Sequence, residues 1–351
     1  MIPVIVQTAW LGDAVLTFPL LRAAARLTGQ RALLVTRPSL VPLFTGDPAL
    51  EQIVPFDKRH HHTGPLGLLQ TALRLSKALA NRPAVALHPQ GSWRSLLLTT
   101  LARIPTAITS STAQGRPLAH HTVPPCLVRP NDTLALLQPL GGPPPLSPDD
   151  PMLDHLLSTT ADVLPTALAH PRHEQPPKVA LCVGSARATK RPPVELLSVV
   201  AERLLAMGAT VVLMGSSAER PLAAAIAQRA QGPCLDVTGQ SLIDAAQTLA
   251  ACTLAVGGDS GLLHMGQAVG TDVLAIHGPT PTRPFERRLT ARQGRRIAFV
   301  RGVPCRPCSH NGPLRCPLGH GDCMRLRPHD IERLWNLIRM QLRRSSSTGT
   351  A

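Results

Sequence analysis

The residues best suited to chemistry lie in short polar segments, each directly after an apolar run that predicts a β-strand. Asp13 follows the first such run, residues 2–6. A carboxylate at this turn can accept a proton from a substrate hydroxyl group. The alternative is a carboxylate at a helix start that interacts only with the helix dipole.

Two further segments suit a phosphorylated ligand. Residues 185–191, Ser-Ala-Arg-Ala-Thr-Lys-Arg, carry Lys190 between small polar residues and arginines. Such a loop can hold a diphosphate, although a solvated basic loop remains open. Residues 215–219, Gly-Ser-Ser-Ala-Glu, end at Glu219, which can accept hydrogen bonds from ribose hydroxyls or simply begin a helix.

The stretch from Thr253 to Pro279 predicts one complete strand–turn–helix–strand unit. Its turn carries Asp259, Ser260 and Gly261 at the start of the helix. Free N–H groups and the positive dipole end there suit a phosphate. An ordinary turn in which Asp259 or Ser260 caps the helix is the alternative.

Four clustered cysteines follow, in the spacing Cys305-x2-Cys308-x7-Cys316-x6-Cys323. Four thiolates suit a structural, tetrahedral zinc ion, and His310 or His320 can substitute. Free thiols in a loop and a disulfide are the other interpretations. The remaining four cysteines are isolated in apolar surroundings and predict small core residues.

The elements that must position these residues alternate between strands and helices in both halves of the chain, which predicts an α/β fold with parallel, doubly wound sheets. Stretches rich in proline and glycine separate the halves. We expect a first domain over residues 1–150, a linker over 151–177 and a second domain over 178–330. Residues 331–351 predict a C-terminal helix, Ile331–Leu342, and a disordered tail.

Missing motifs and net charge narrow the function. The chain has no G-x-G-x-x-G, no P-loop, no G-x-S-x-G and no Asp-x-Asp. The net charge of +15 suits anionic partners. Aromatic residues, on which nucleic-acid bases stack, make up only 2% of the sequence, so we expect no binding of nucleic acid. No stretch predicts a membrane span or a secretory signal, so we expect a cytoplasmic protein.

Taken together, the segments resemble glycosyltransferase family 9, the bacterial heptosyltransferases of the lipopolysaccharide inner core. The resemblance is carried by T-A-W-L-G-D-A-V-L-T-F-P-L-L-R, G-S-A-R-A-T-K-R-P-P, G-G-D-S-G-L-L-H and I-H-G-P-T, in that order. The later C-P-L-G-H-G-D-C-M is similar to the heptosyltransferase II-like subgroup. The resemblance implies a GT-B fold, in which two Rossmann-like domains face across a cleft: an acceptor-binding one first and a nucleotide-sugar-binding one second.

The resemblance also implies roles for individual residues. Asp13 matches the proposed general base, and Lys190 matches the residue that neutralises the leaving diphosphate. The donor and its nucleotide are expected to contact Ser185, Thr189, Lys190, Gly215, Glu219, Thr238, Gly239, Leu242, Asp259, Ser260, Gly261 and His264. The acceptor is expected to contact Gly12, Asp13, Arg94 and Ser95. His60, His61 and His62 lie in a loop that is either near the acceptor or merely solvated. Relatives often carry tryptophan where this chain has Pro192.

The implied reaction is an inverting transfer of heptose from ADP-heptose to the lipid A–core oligosaccharide, without a catalytic metal or other required cofactor. The basic charge then suits an anionic membrane surface, at the cytoplasmic face of the inner membrane. The alternatives are another nucleotide sugar or acceptor, including a protein, and a non-catalytic nucleotide-binding protein on the same fold.

Overall fold

Both halves of the chain consist of parallel β-strands connected by helices, as predicted. The computed structural model describes residues 1–58, 64–124, 133–144, 152–157, 168, 176–282 and 293–347. The chain divides into two compact units, Met1–His155 and Leu156–Ala351. The division therefore lies inside the predicted linker, near its beginning.

The described part of the first unit contains six strands and five helices before the division. The strands are β1 (Ile2–Gln7), β2 (Ala32–Thr36), β3 (Leu50–Pro55), β4 (Ala84–His88), β5 (Thr106–Ser110) and β6 (His121–Val123). The helices are α1 (Leu11–Val15), α2 (Phe18–Thr28), α3 (Val41–Phe44), α4 (Pro65–Leu79) and α5 (Trp93–Leu101); a short α6 (Asp154–Leu157) crosses the division.

The second unit repeats this pattern in its described residues. Its strands are β7 (Lys178–Cys182), β8 (Thr210–Met214), β9 (Cys234–Asp236), β10 (Leu254–Gly258), β11 (Asp272–His277) and β12 (Arg296–Val300). Its helices are α7 (Val194–Ala206), α8 (Arg220–Ala230), α9 (Leu242–Ala251), α10 (Gly261–Ala268) and α11 (Pro328–Ser347).

The central strands form because their apolar runs are buried on both faces. Every residue of β1, β4, β7 and β10 is buried. Parallel sheets covered by helices on both sides require such continuous apolar strands, whereas a half-exposed strand alternates. Helix α2 ends where Gly29 takes a left-handed conformation with φ +63°, which glycine adopts without a steric penalty.

The two sheets have the same strand order. The first runs β3-β2-β1-β4-β5-β6 and the second β9-β8-β7-β10-β11-β12, and all their paired strands are parallel. In this order the chain reverses direction across the sheet between β1 and β4, and again between β7 and β10. Ligands of open α/β sheets bind at the carboxyl ends of the strands at such a switch point.

The predicted C-terminal helix was too short. Residues 343–347, predicted to belong to a disordered tail, continue α11 to Ser347, while residues 348–351 lie outside the described part. Leu334, Ile338 and Leu342 anchor α11 in the second core. Among the described residues, no helix combines the length and apolarity that crossing a membrane requires.

His88, the last residue of β4, is a polar group inside the first core. Its side chain is fully buried, and Nε2 lies 3.1 Å from Thr99 Oγ1 on α5. Its carbonyl oxygen accepts a bond of 3.0 Å from Thr109 Oγ1 on β5. Burial lowers the pKa of His88 to about 3, because the charged imidazolium loses its hydration.

The lowered pKa predicts acid sensitivity of the first unit. Between about pH 6.5 and 3, His88 is protonated in the unfolded chain but stays neutral in the folded chain. The free energy of unfolding therefore decreases as the pH falls through this range. We expect His88→Gln to reduce the slope of unfolding free energy against pH by up to about 1.4 kcal/mol per pH unit between pH 6 and 4. Urea titrations across this range measure it. Equal slopes for both proteins would contradict the prediction, and a titration at pH 7.5 controls for the substitution itself.

Candidate functional site

The loop after β7 brings the predicted phosphate-binding residues to the switch point of the second sheet. Residues 188–190 form a single 3-10 turn, Ala188–Lys190. Ser185 is buried, and its carbonyl oxygen accepts a bond of 3.3 Å from Arg191 Nη2. Thr189 Oγ1 donates to the carbonyl oxygen of Pro313 at 2.6 Å. One hydrogen bond thus joins the two ends of the loop, and the other joins the loop to the segment that contains Pro313.

Asp259, directly after β10, is the centre of a buried charge cluster. Its Oδ2 lies 3.4 Å from Lys190 Nζ and accepts a bond of 3.2 Å from Thr280 Oγ1. Its Oδ1 lies 2.9 Å from Arg296 Nη2 and 3.7 Å from His264 Nε2. Lys190 and Asp259, which were each predicted to contact the donor, are therefore in direct contact with one another.

The protonation states of this cluster follow from burial and charge. Burial alone raises the pKa of Asp259, but the Lys190 and Arg296 cations outweigh it and hold that pKa well below its usual range. Burial, and next the Arg296 charge, lower the pKa of His264 well below its usual value. Burial is also the largest cause that lowers the pKa of His277 to about 4. At neutral pH these five side chains therefore carry two cations and one carboxylate, which leaves one net positive charge.

Sequence reasoning missed Arg296, and it assigned no role to His277 and Thr280 of the I-H-G-P-T motif. Arg296 begins β12 and its side chain is only 1% exposed. An arginine at the start of an apolar strand is a signal in retrospect, because a buried guanidinium requires a carboxylate partner. Burial lowers the pKa of Arg296 to about 10, although its bond to Asp259 opposes that shift.

The start of α10 offers further polar groups beside the cluster. Ser260 is the N-cap residue and Gly261 the first residue of the helix, yet the Ser260 side chain makes no capping bond. Its buried Oγ has no hydrogen-bond partner among the described residues. A buried hydroxyl normally has a partner, so this one is available to a ligand at the helix N-terminus.

The other predicted donor residues lie at the ends of β8 and β9. Glu219 Oε2 accepts bonds from Ser216, 2.8 Å from its N–H and 3.0 Å from its hydroxyl, so the carboxylate is oriented by its own turn. A side chain at Gly184 would overlap that carboxylate, and one at Gly215 would crowd it.

The remaining predicted donor-binding residues follow the end of β9. Thr238 is buried, and its carbonyl oxygen accepts a bond of 2.9 Å from Arg220 Nη2. Gly239 has φ +87°, a conformation that favours glycine, and Leu242 opens α9.

In the first unit, the predicted acceptor residues lie at the switch point between β1 and β4. Asp13 stands in the first turn of α1, and its Oδ2 accepts a bond of 3.4 Å from the Trp10 N–H. Gly12 precedes it in the same helix. Lys58 Nζ donates to Thr8 Oγ1 at 3.0 Å, and Arg94 Nη1 donates to the Lys58 carbonyl oxygen at 3.2 Å. Two cations therefore lie near the turn that carries Asp13.

The remaining acceptor-side predictions concern Ser95 and three histidines. Ser95 is buried, and its hydroxyl donates to the Ser92 carbonyl oxygen at 2.7 Å at the start of α5, where Ser92 caps the helix. His60, His61 and His62 lie outside the described residues.

The four clustered cysteines line one cavity of about 190 Å³, together with His320. Backbone N–H groups, of Gly321 first and Leu318 next, bond to the Cys316 sulfur and lower the pKa of this thiol. Cys305 Sγ lies 4.0 Å from His320 Nε2. In the described part of the chain, however, no three His, Cys, Asp or Glu side chains come close enough together to hold a metal ion.

Comparisons with known proteins agree with this picture. The model of glycosyltransferase family 9 (heptosyltransferase) matches residues 72–312. Lipooligosaccharide heptosyltransferase 2 of Haemophilus influenzae and lipopolysaccharide heptosyltransferase 2 of Escherichia coli are each 33% identical over 110 residues, which is 30% of this chain. The matched stretch spans only 32% of those curated relatives.

Solved structures extend the likeness in fold over the whole chain. A glycosyltransferase family 9 protein from Veillonella parvula has a TM-score of 0.73 at 18% identity, over 97% of this chain and 96% of its own. The E. coli ADP-heptose lipopolysaccharide heptosyltransferase II has a TM-score of 0.69 at 18% identity, over 98% and 99%. These neighbours confirm the predicted GT-B class, with two Rossmann-like domains. Because the family model matches more than half of the residues, the chain belongs to glycosyltransferase family 9 and is a glycosyltransferase.

Proposed function

We propose that this protein transfers heptose from ADP-heptose to the lipopolysaccharide inner core, with inversion, in the manner of a heptosyltransferase II. The observation that carries the donor side is the positive cluster at the β7/β10 switch point. Lys190 and Arg296 outnumber Asp259 there, and the unpartnered Ser260 hydroxyl stands at the start of α10. This combination suits the diphosphate of a nucleotide sugar.

In the proposed reaction the acceptor hydroxyl oxygen attacks the anomeric carbon, and the bond from that carbon to the diphosphate oxygen breaks. Asp13 accepts the hydroxyl proton, as a carboxylate at the β1 turn can. Lys190 neutralises the charge that develops on the departing ADP. Electrostatic stabilisation of this kind supplies a large share of the rate in such sites, and it requires no metal.

The acceptor side is supported by the cations near Asp13. Lys58 contacts Thr8 in the turn after β1, and Arg94 contacts the Lys58 carbonyl oxygen, which suits a phosphorylated or carboxylated core sugar. A net charge of +15 supports work at an anionic membrane, and we place the protein at the cytoplasmic face of the inner membrane.

We also propose that Cys305, Cys308, Cys316 and Cys323 bind one structural zinc ion. All four line the same cavity, and backbone N–H groups already bond to the Cys316 sulfur. Thiolates stabilised in this way are good zinc ligands, and side-chain rotations would have to bring the four sulfurs together. The ion would hold the loop that contacts Thr189, and it would take no part in the transfer.

The donor assignment predicts a specific pattern of turnover. We expect the purified protein to use ADP-heptose with a core oligosaccharide that carries heptose, and to give no product with UDP- or GDP-sugars. Thermal stabilisation by each free nucleotide measures binding separately from turnover. A preference for UDP or GDP would overturn the donor. Binding of ADP-heptose without turnover on sugar or protein acceptors would favour the non-catalytic alternative.

Substitutions of the two proposed catalytic residues are expected to change different quantities, kcat for Asp13 and the Kd for ADP for Lys190. Asp13→Asn is expected to lower kcat by about 10²-fold or more and leave the Kd for ADP within about twofold, because the base acts only on the acceptor. Lys190→Met is expected to weaken ADP binding by about tenfold, since it removes a charge from the diphosphate. Arg229→Met removes an equal charge from an exposed pair with Glu195 and is the control. If Asp13→Asn kept more than a few per cent of turnover, Asp13 would not be the base.

The zinc assignment predicts about one ion per chain by elemental analysis. Cys316→Ser is expected to remove the ion and lower the melting temperature, while Cys234→Ser, outside the cluster, keeps it. A metal-free protein with four reactive thiols in this loop and unchanged ADP binding would contradict the assignment.

A further inference from the structure

Helix α4 carries an apolar stripe on its outer face. Leu66, Leu69 and Leu73 are 73%, 45% and 61% exposed, at spacings that place them on one side of the helix. The opposite face already belongs to the first core, through Leu68, Ala72, Leu75 and Leu79. The three exposed leucines, here called the leucine stripe, therefore contribute nothing to that core.

Charge identifies the occupant of this face. Lys77 is exposed one turn beyond Leu73, Arg74 is exposed directly after it, and α4 contains no Asp or Glu. A helix with a leucine face and neighbouring basic residues fits the interface of a membrane with anionic head groups. A second copy that docked through the same face would bring like charges together, which disfavours self-association there.

The position of the helix connects this face to the acceptor residues. Helices α4 and α5 pack against each other, and both begin at the carboxyl edge of the first sheet. Trp93, the first residue of α5, is 54% exposed, and Trp10 in the turn before Asp13 is 42% exposed. Tryptophans are enriched where proteins meet the interface of a bilayer.

We propose that the leucine stripe, together with the exposed Trp93 at the start of the neighbouring helix α5, is the surface through which this protein docks on the anionic leaflet that holds its lipid-anchored acceptor. Leucines enter the acyl boundary, and Arg74 and Lys77 contact head-group phosphates. The edge of the sheet that carries Asp13 and Arg94 then lies next to the membrane-bound substrate. This inference rests on the proposed function, since it presumes an acceptor anchored in lipid.

Vesicle binding tests the surface itself. Leu66→Glu with Leu73→Glu is compared with Met207→Glu with Met340→Glu, which places the same charges at sites 48% and 53% exposed in the second unit. Sedimentation with vesicles of phosphatidylcholine and phosphatidylglycerol, at a ratio of about 3:1, measures partitioning. We expect the first variant to bind at least about tenfold more weakly than the wild type, and the control to stay within about twofold.

Equal vesicle binding by the leucine variant and the control would overturn the proposal. So would light scattering that shows a wild-type dimer, a monomeric leucine variant and no vesicle binding by either, because the stripe would then be an interface between copies. Arg74→Gln with Lys77→Gln is expected to weaken binding to the anionic vesicles while leaving the weak binding to pure phosphatidylcholine unchanged.

Turnover separates this inference from the proposed function. On a deacylated, water-soluble core oligosaccharide the leucine variant is expected to match the wild type, whereas on acceptor embedded in vesicles it loses at least about tenfold. Equal losses on both acceptors would indicate damage to the fold and overturn the docking role. If the wild type transfers to neither acceptor, the proposed function fails, and vesicle binding alone then decides whether the stripe is a membrane surface.

Discussion

The proposed donor site depends on one constraint, which is that the buried carboxylate of Asp259 must be neutralised. A charge removed from water is costly unless paired and hydrogen-bonded. Asp259 meets this requirement through Lys190 from the loop after β7, Arg296 from β12 and Thr280 from the segment after β11. One side chain thereby holds three separate segments in register. Because the cations exceed the carboxylate, the cluster that stabilises the fold also remains attractive to a diphosphate.

Two glycines also help to hold these segments together, because they allow the backbone to pack closely at the strand ends. A side chain at Gly258 would overlap the carbonyl oxygen of Lys190, and one at Gly278 would meet the Met324 side chain. Glycine at these positions lets the loop of residues 185–191 and the cysteine-rich segment lie directly against the strand ends. Arg306 reinforces this packing by donating to the Gly278 carbonyl oxygen at 2.7 Å. The cysteine-rich segment is thus part of the support of the donor site, whichever state its thiols adopt.

The repeated sheet order explains why two groups of candidate residues occur. In each unit, the first and fourth strands pair side by side, and the chain leaves them towards opposite edges of the sheet, so that their carboxyl ends with the polar turns form a switch point. In the first unit this position holds Asp13 and, after β4, Arg94. In the second it holds Lys190 and Asp259. A carboxylate suited to proton transfer and a cationic site suited to phosphate therefore arise from one topology used twice.

Local apolar periodicity and the residues that follow each strand were enough to predict the alternation of strands and helices, the two Rossmann-like halves and the turns that carry Asp13, Lys190 and Asp259. The contacts that those residues make became visible only in the folded chain. Arg296 and Thr280 lie 37 and 21 residues beyond Asp259 and reach it because β10, β11 and β12 pair in parallel. Likewise, no local pattern reveals that the Thr189 hydroxyl bonds to the carbonyl oxygen of Pro313, which lies 124 residues further along the chain. Such partners depend on which elements become neighbours, and this is a property of the whole chain.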